Sequence, residues 1–82
     1  MKYIVWEQTG EFPSVVMFSR KLRHSTIAKS LDLFDDKTSI LGAGFVRLEK
    51  TGVRCTGYSA TLDATSRGLA DEEVIDVDFS IG

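Results

Sequence analysis

Residues 2–19 have the sequence KYIVWEQTGEFPSVVMFS, which predicts the first hairpin of a β-sheet. Two runs rich in aromatic and β-branched side chains, residues 2–8 and 14–19, are separated by the turn signal Thr9-Gly10-Glu11. Gly10 can adopt the positive φ that a tight hairpin turn requires. The four consecutive apolar residues from Val15 to Phe18 predict that the returning strand is buried on both faces.

The second half of the chain contains a similar pattern. Residues 44–49 alternate, with Val46 and Leu48 on one face and Phe45, Arg47 and Glu49 on the other. Thr51-Gly52 predicts another hairpin turn, and residues 53–62 predict a long partner strand. Gly57, in the middle of that strand, indicates a bulge or the close approach of another group.

Each hairpin is followed by a segment with helical features. Ser25 or Thr26 is a suitable N-cap for a helix over residues 26–34. The apolar side chains on one face of this helix are Ile27, Leu31 and Phe34.

The final segment allows two interpretations. The acidic residues 71–73 would favour the first turn of a helix near residues 70–76, capped by Ser66 or Asp71. Residues 74–81 also alternate between apolar and polar types, so a strand there stays open as the alternative. With the helical interpretation, residues 1–82 form a single small α+β domain of ββαββα type. Its expected architecture is a four-stranded antiparallel sheet with both helices on one face.

The composition is that of an ordinary globular domain. Of the 82 residues, 43% are hydrophobic and 27% are charged, and the formal charge of −2 gives no overall field that attracts a polyanion. So small a domain has a marginal core, which makes a homodimer the default expectation. With one cysteine, no signal peptide and no apolar run of about 20 residues, the sequence predicts a cytoplasmic protein without a membrane span.

Charged residues are concentrated in two segments, a basic one over residues 20–24 and an acidic one over residues 71–78. The basic segment lies beside the predicted start of the first helix. Basic side chains together with helix N–H groups are what an anion site requires. This segment is a candidate site for a small anion, a nucleotide or a nucleic acid. Its four candidate residues are Arg20, Lys21, Arg23 and His24.

Two further groups are candidates for contact with a partner. Aromatic side chains on strands can stack on bases or pack against a protein, and the acidic segment over residues 71–78 can attract a basic partner. The candidate interaction residues are Trp6, Phe45, Tyr58, Asp71, Glu72 and Glu73.

No enzymatic chemistry is predicted. Cys55 lies in mid-strand beside Val53 and has the features of a small buried hydrophobe, so a nucleophilic pair with His24 is disfavoured. One histidine and one cysteine cannot make a structural zinc site, and the acids lack the spacing of a calcium loop. We therefore expect no catalytic residues, no metal and no cofactor.

The sequence resembles a known group of proteins over about two-thirds of its length. The resemblance is carried by Ala43-Gly44-Phe45-Val46-Arg47-Leu48, by residues 52–59 (GVRCTGYS), and by Leu62, Ser66 and Arg67. In the form AGFVRL…GV.C.G.S, this pattern is similar to that of short uncharacterised proteins of bacteriophages and prophages. The resemblance implies a phage accessory protein that acts in the host cytoplasm, as an inhibitor of host defences.

The leading hypothesis from the sequence is a non-enzymatic binding protein. It would engage a host or phage protein through its sheet face or its acidic end. The alternative is an anion, nucleotide or nucleic-acid binding module that uses the basic segment over residues 20–24, with nucleic acid as the less favoured partner.

Overall fold

The computed structural model describes residues 1–79 of the chain. The elements in this range alternate hairpins with helices, and the predicted strand over residues 2–8 is confirmed. In chain order they are β1 (Lys2–Gln8), β2 (Ser14–Phe18), α1 (His24–Ser30), β3 (Thr38–Glu49), β4 (Gly52–Thr56), β5 (Tyr58–Ser59), β6 (Ala64–Thr65) and α2 (Leu69–Phe79).

Four strands form one antiparallel sheet in the order β2-β1-β3-β4. The twelve-residue strand β3 organises it, because residues 38–45 pair with β1 and residues 45–49 pair with β4. The short strands β5 and β6 pair with each other in a separate two-stranded sheet. The mixed α+β class and the four-stranded antiparallel sheet are therefore confirmed.

The helices pack on opposite faces of the sheet, and the prediction of one shared face is wrong. Tyr3 and Val5 of β1 pack with Ile75 of α2, whereas Ile4 packs on the other side with Ala28 of α1. Because β1 carries apolar side chains on both of its faces, both must be removed from water, and each helix covers one of them. We call these two clusters the α2-side core and the α1-side core.

Helix α1 begins and ends earlier than the sequence predicts. Asp32 has a φ of 57°, and the amides of Asp32 and Leu33 bond back to the carbonyls of Lys29 and Ala28. This is a Schellman motif, which ends the helix and directs Leu33 into the α1-side core. The predicted continuation to residue 34 is wrong, and Leu31 and Phe34 are exposed.

The long strand predicted over residues 53–62 ends at Thr56. Gly57 has a φ of 80°, which interrupts the ladder before β5 begins. Helix α2 then spans Leu69–Phe79, so the helical interpretation of the final segment is correct as far as residue 79. The part of the strand alternative that falls on residues 80–81 lies outside the described residues.

A buried polar network joins the start of α2 to the central strand β1. The Tyr3 hydroxyl donates to Oδ2 of Asp71 at 2.5 Å and lies 2.7 Å from Oγ of Ser66. Arg67 donates to Asp71 twice, through its backbone amide (2.9 Å) and through Nε (2.6 Å). Gly42 leaves the space that the Asp71 carboxylate occupies against β3, since a Cβ there would overlap that carboxylate.

We expect the substitution Gly42→Ala to lower the free energy of unfolding by about 2–3 kcal/mol, because the added methyl group displaces a buried, ion-paired carboxylate. Urea denaturation followed by circular dichroism measures this loss. Ser39→Ala, at an exposed position of the same strand, is the control and should change stability by less than about 0.5 kcal/mol. A Gly42→Ala protein as stable as the control would contradict this account of the network.

Candidate functional site

The two faces of the β3–β4 hairpin differ sharply. Val46 and Cys55 point into the α2-side core. On the opposite face, Phe45 pairs with Thr56 and Arg47 pairs with Arg54, and all four side chains are exposed. We call this side of the hairpin the open face.

Two clefts of about 300 Å³ each lie at the open face, and Phe45 lines both. Arg20, Arg47 and Arg54 line the first cleft. The second cleft is lined by Lys2, Arg23, His24 and Tyr58, among others. We call the five side chains that bring positive charge to these clefts the basic surface: Lys2, Arg20, Arg23, Arg47 and Arg54.

Arg47 and Arg54 face each other directly across the strand pair. Like charges at opposed positions destabilise a sheet. Glu49 offsets this repulsion, because it bonds to Arg54 at 3.0 Å and to Arg47 at 3.4 Å. These exposed ion pairs are weak, so an arriving anion can replace the Glu49 carboxylate at little cost.

The loop that carries Arg20 and Arg23 is held by its own hydrogen bonds. The Leu22 amide donates to the Ser19 carbonyl at 3.0 Å, and the Lys21 amide donates to Oγ of Ser19 at 3.2 Å. Nζ of Lys2 donates to the Leu22 carbonyl at 2.8 Å, which fastens the loop to β1. The predicted residues Arg20 and Arg23 therefore line neighbouring clefts, whereas Lys21 lines neither of the two.

The start of α1 does not offer the amides that the sequence argument assigned to an anion. Arg23, rather than Ser25 or Thr26, is the N-cap residue. The Ser25 amide donates to Oγ1 of Thr61, and the Thr26 amide donates to the Arg23 carbonyl. The amides of Ser25 and Thr26 are therefore paired within the protein, and the positively charged groups of the basic surface are side chains.

His24, a predicted anion ligand, lines the second cleft, but its ring is engaged with backbone and aromatic groups of the protein itself. The side chain is buried, and its Nε2 lies 3.0 Å from the Gly44 carbonyl oxygen. Burial, with a smaller effect from the charge of Lys2, lowers the pKa of His24 below its ordinary value of 6.5. Its ring stands edge-on to Phe18 and Phe45, so His24 helps to position Phe45.

Two of the three candidate aromatic residues lie at the clefts. The side chains of Phe45 and Tyr58 are 44% and 63% exposed. The Phe45 ring also packs against Gly57, since a Cβ at Gly57 would lie 2.9 Å from Cδ2 of Phe45. Gly57 therefore permits the close approach that its position in the sequence indicated. Trp6 instead packs partly buried against the α1-side core.

The acidic candidates have separate roles. Asp71 is fully buried in the network with Tyr3, so its assignment as a surface interaction residue is wrong. Glu72 accepts a hydrogen bond from the Cys55 amide at 3.1 Å. Glu73 is exposed and lines an apolar groove beside Phe12.

Lys2, Arg47 and Arg54 were not predicted from the sequence as members of the site. The available signal was the alternation of the second hairpin, which places both arginines on the same outward face once the turn at residues 51–52 fixes the register. Lys2 could not be found this way, because its position depends on the pairing of β1 with β3.

The thiol of Cys55, the one cysteine of the chain, does not reach the clefts of the open face. Cys55 lies in the α2-side core, and its pKa is raised to about 11 by burial and by the negative charges of Asp71 and Glu72. Its face of the sheet is opposite to that of the Phe18–His24 contact. Within residues 1–79, no group of three or more metal-ligating side chains occurs, and no helix is long and apolar enough to cross a membrane.

We expect the free energy of unfolding to fall as the pH drops below about 6.5, because the unfolded chain protonates His24 before the folded chain does. The stabilisation should be complete above pH 6.5. His24→Gln keeps a donor for the Gly44 carbonyl but does not titrate. Urea denaturation at pH 7.5 and at pH 5.5 should therefore show a smaller loss in the variant.

Asp35 does not complicate this comparison. Its pKa is lowered from 3.8 by hydrogen bonds from Thr38 and the Lys37 amide, so it titrates below the tested range. Equal losses in the wild type and in His24→Gln would show that another group governs the pH dependence.

Comparison with protein-family models, with curated proteins and with solved structures found no match to the chain. The resemblance to short phage proteins therefore stays a prediction.

Proposed function

We propose that this chain is a non-enzymatic binding protein that takes a phosphate-rich anionic ligand on its basic surface. The observation that carries the proposal is the convergence of five basic side chains on two adjoining clefts in a chain whose formal charge is −2. A local concentration of one charge sign beside low-dielectric walls attracts a ligand that the net charge does not.

The chemistry of the first cleft fits phosphate. A guanidinium group can bind phosphate oxygens through two parallel hydrogen bonds. The first cleft is lined by three such groups, those of Arg20, Arg47 and Arg54. Arg47 and Arg54 are directly opposed, and in the free protein the weak, exposed ion pairs with Glu49 counter the cost of their repulsion only in part. A ligand anion between them would remove that cost, which is why the pair supports binding rather than folding.

Cys55 and His24, the candidates for nucleophilic and acid–base chemistry, have structural roles in packing. Cys55 and His24 are both buried, and each lies in contact with apolar or aromatic neighbours. This supports a binding role for the clefts, in which charge and shape hold the ligand without a reaction.

The double variant Arg20→Ala/Arg54→Ala should weaken binding of inorganic polyphosphate at least about tenfold at low salt, since each charge-assisted hydrogen bond contributes about 1.5–3 kcal/mol. Isothermal titration calorimetry measures the change. The matched control is Lys29→Ala/Lys37→Ala, which removes two exposed positive charges that line neither cleft. Equal weakening by both double variants, or no binding by the wild type, would refute the proposed function.

A second candidate function, binding of a basic protein, is favoured by a groove of about 320 Å³ along α2. Phe12, 93% exposed at the tip of the first hairpin, lines this groove together with Val74 and Val77. Glu73 and Asp78 add negative charge beside the apolar lining. The complementary partner would present an apolar side chain flanked by lysine or arginine.

This second function predicts a protein partner that nuclease treatment does not release. A pull-down from nuclease-treated bacterial lysate should recover it with the wild type and with Arg20→Ala/Arg54→Ala. Phe12→Ser/Glu73→Lys should lose it, because that variant removes both the apolar and the acidic element. Calorimetry with the purified partner would confirm the contact, and equal retention by Phe12→Ser/Glu73→Lys would exclude the groove.

The predicted homodimer and the predicted phage origin each suggest an occupant for this groove. A host or phage protein is the partner that the resemblance implies, and a second copy of the chain is the alternative occupant. Light scattering of the purified protein distinguishes a second copy from a different protein as the occupant. If the groove mediates self-association, the wild type should have a higher molar mass than Phe12→Ser/Glu73→Lys.

A further inference from the structure

We infer that the ligand of the basic surface is a single-stranded nucleic acid, with Phe45 and Tyr58 as stacking platforms for its bases. This inference rests on the proposed function and adds the ligand class. Polyphosphate satisfies the charges of the two clefts but gives no role to the exposed aromatic side chains between and beside them. A strand of nucleotides satisfies both.

The Phe45 ring is held in place before any ligand arrives. His24 stands edge-on to it at a centroid distance of 6.3 Å, with an angle of 89° between the rings. Gly57 packs closely beside it, and the backbone on either side of Phe45 is paired. A ring fixed in this way, with 44% of its surface exposed, offers a stacking surface at a small entropic cost.

The order of the groups across the surface matches a polymer. Phe45 lines both clefts, with Arg20, Arg47 and Arg54 on the first and Lys2 and Arg23 on the second. Tyr58, 63% exposed, lines the second cleft. A strand crossing the Phe45 ring would place phosphates against basic side chains on both sides, and would bring a neighbouring base to Tyr58.

A double helix fits this surface poorly. Its bases are paired and stacked already, so the two aromatic side chains would have no partners. Neither described helix is suited to a major groove, because α1 has only seven residues and α2 exposes the acids Glu73, Asp76 and Asp78. Single-stranded nucleic acid is therefore the ligand class that uses the charges and the rings together.

The test compares an oligonucleotide with a base-free polyanion. Fluorescence anisotropy with a labelled ten-nucleotide oligo-dT measures binding at low salt. Phe45→Leu and Tyr58→Leu should each weaken it about 5- to 140-fold, the loss that corresponds to one stacked base. Polyphosphate binding, measured by calorimetry, should weaken far less than oligo-dT binding in both variants, because polyphosphate has no bases to stack. Phe34→Leu, at an exposed aromatic position away from the clefts, is the control.

Salt dependence gives an independent measure of the phosphate contacts. Each neutralised phosphate of a single strand contributes about 0.7 to the slope of log K against log salt, so five basic side chains predict a slope of about −3.5. Arg20→Ala/Arg54→Ala should reduce its magnitude by about 1.4. Phe45→Leu and Tyr58→Leu should leave the slope unchanged, because they remove stacking and not charge.

The outcomes separate this inference from the proposed function. If neither aromatic variant weakens oligo-dT binding, or if a duplex of the same length binds as tightly, the nucleic-acid inference is overturned. Arginine-dependent polyphosphate binding would still stand in that case. If neither probe binds, the proposed function falls first. Tyr58→Leu keeps the test decisive should Phe45→Leu unfold, since Tyr58 is mostly exposed.

Discussion

The hydrogen bond between the Tyr3 hydroxyl and the Asp71 carboxylate is the interaction on which the rest of the structure depends. It joins the central strand to the first turn of α2 at a point with no access to water, and the ion pair with Arg67 neutralises the buried charge. Burial and the hydrogen bond to Asp71 raise the pKa of Tyr3, so the phenol keeps the proton that it donates. With α2 fixed on this side, it covers Val46 and Cys55 of the β3–β4 hairpin, while the open face of that hairpin stays exposed.

The strands and helices of this chain are encoded by local sequence signals, whereas their packing is encoded less directly. The hairpin turns at residues 9–11 and 51–52 were found because glycine and side-chain alternation are local signals. The placement of both helices on one face was wrong, although the run from Val15 to Phe18 already indicated burial on both faces. In the structure, Val15 and Met17 face the α2-side core while Val16 and Phe18 face the α1-side core. The apolar run in β2 thus indicated correctly that both faces of the sheet are covered, whereas the presence of two helices did not show which face each would cover.

The candidate site was predictable in part. Arg20 and Arg23 were found from a local cluster of charge, but their neighbours come from strands distant in sequence, and that proximity depends on the pairing of Lys2 with Phe45. Asp71 resembled a surface acid because its sequence neighbours are acidic. Its burial follows from the space beside Gly42, which no local pattern around residue 71 could reveal.

Phe45 occupies a position where β3 changes neighbours, since it pairs with Lys2 of β1 and with Thr56 of β4. A residue paired on both edges cannot leave the sheet without breaking two ladders, so its amide should exchange with solvent only in rare, large-scale openings. The proposed ligand would therefore meet a backbone that is already assembled around Phe45. Its association would then be governed by diffusional encounter and electrostatic attraction, without a rearrangement of the sheet.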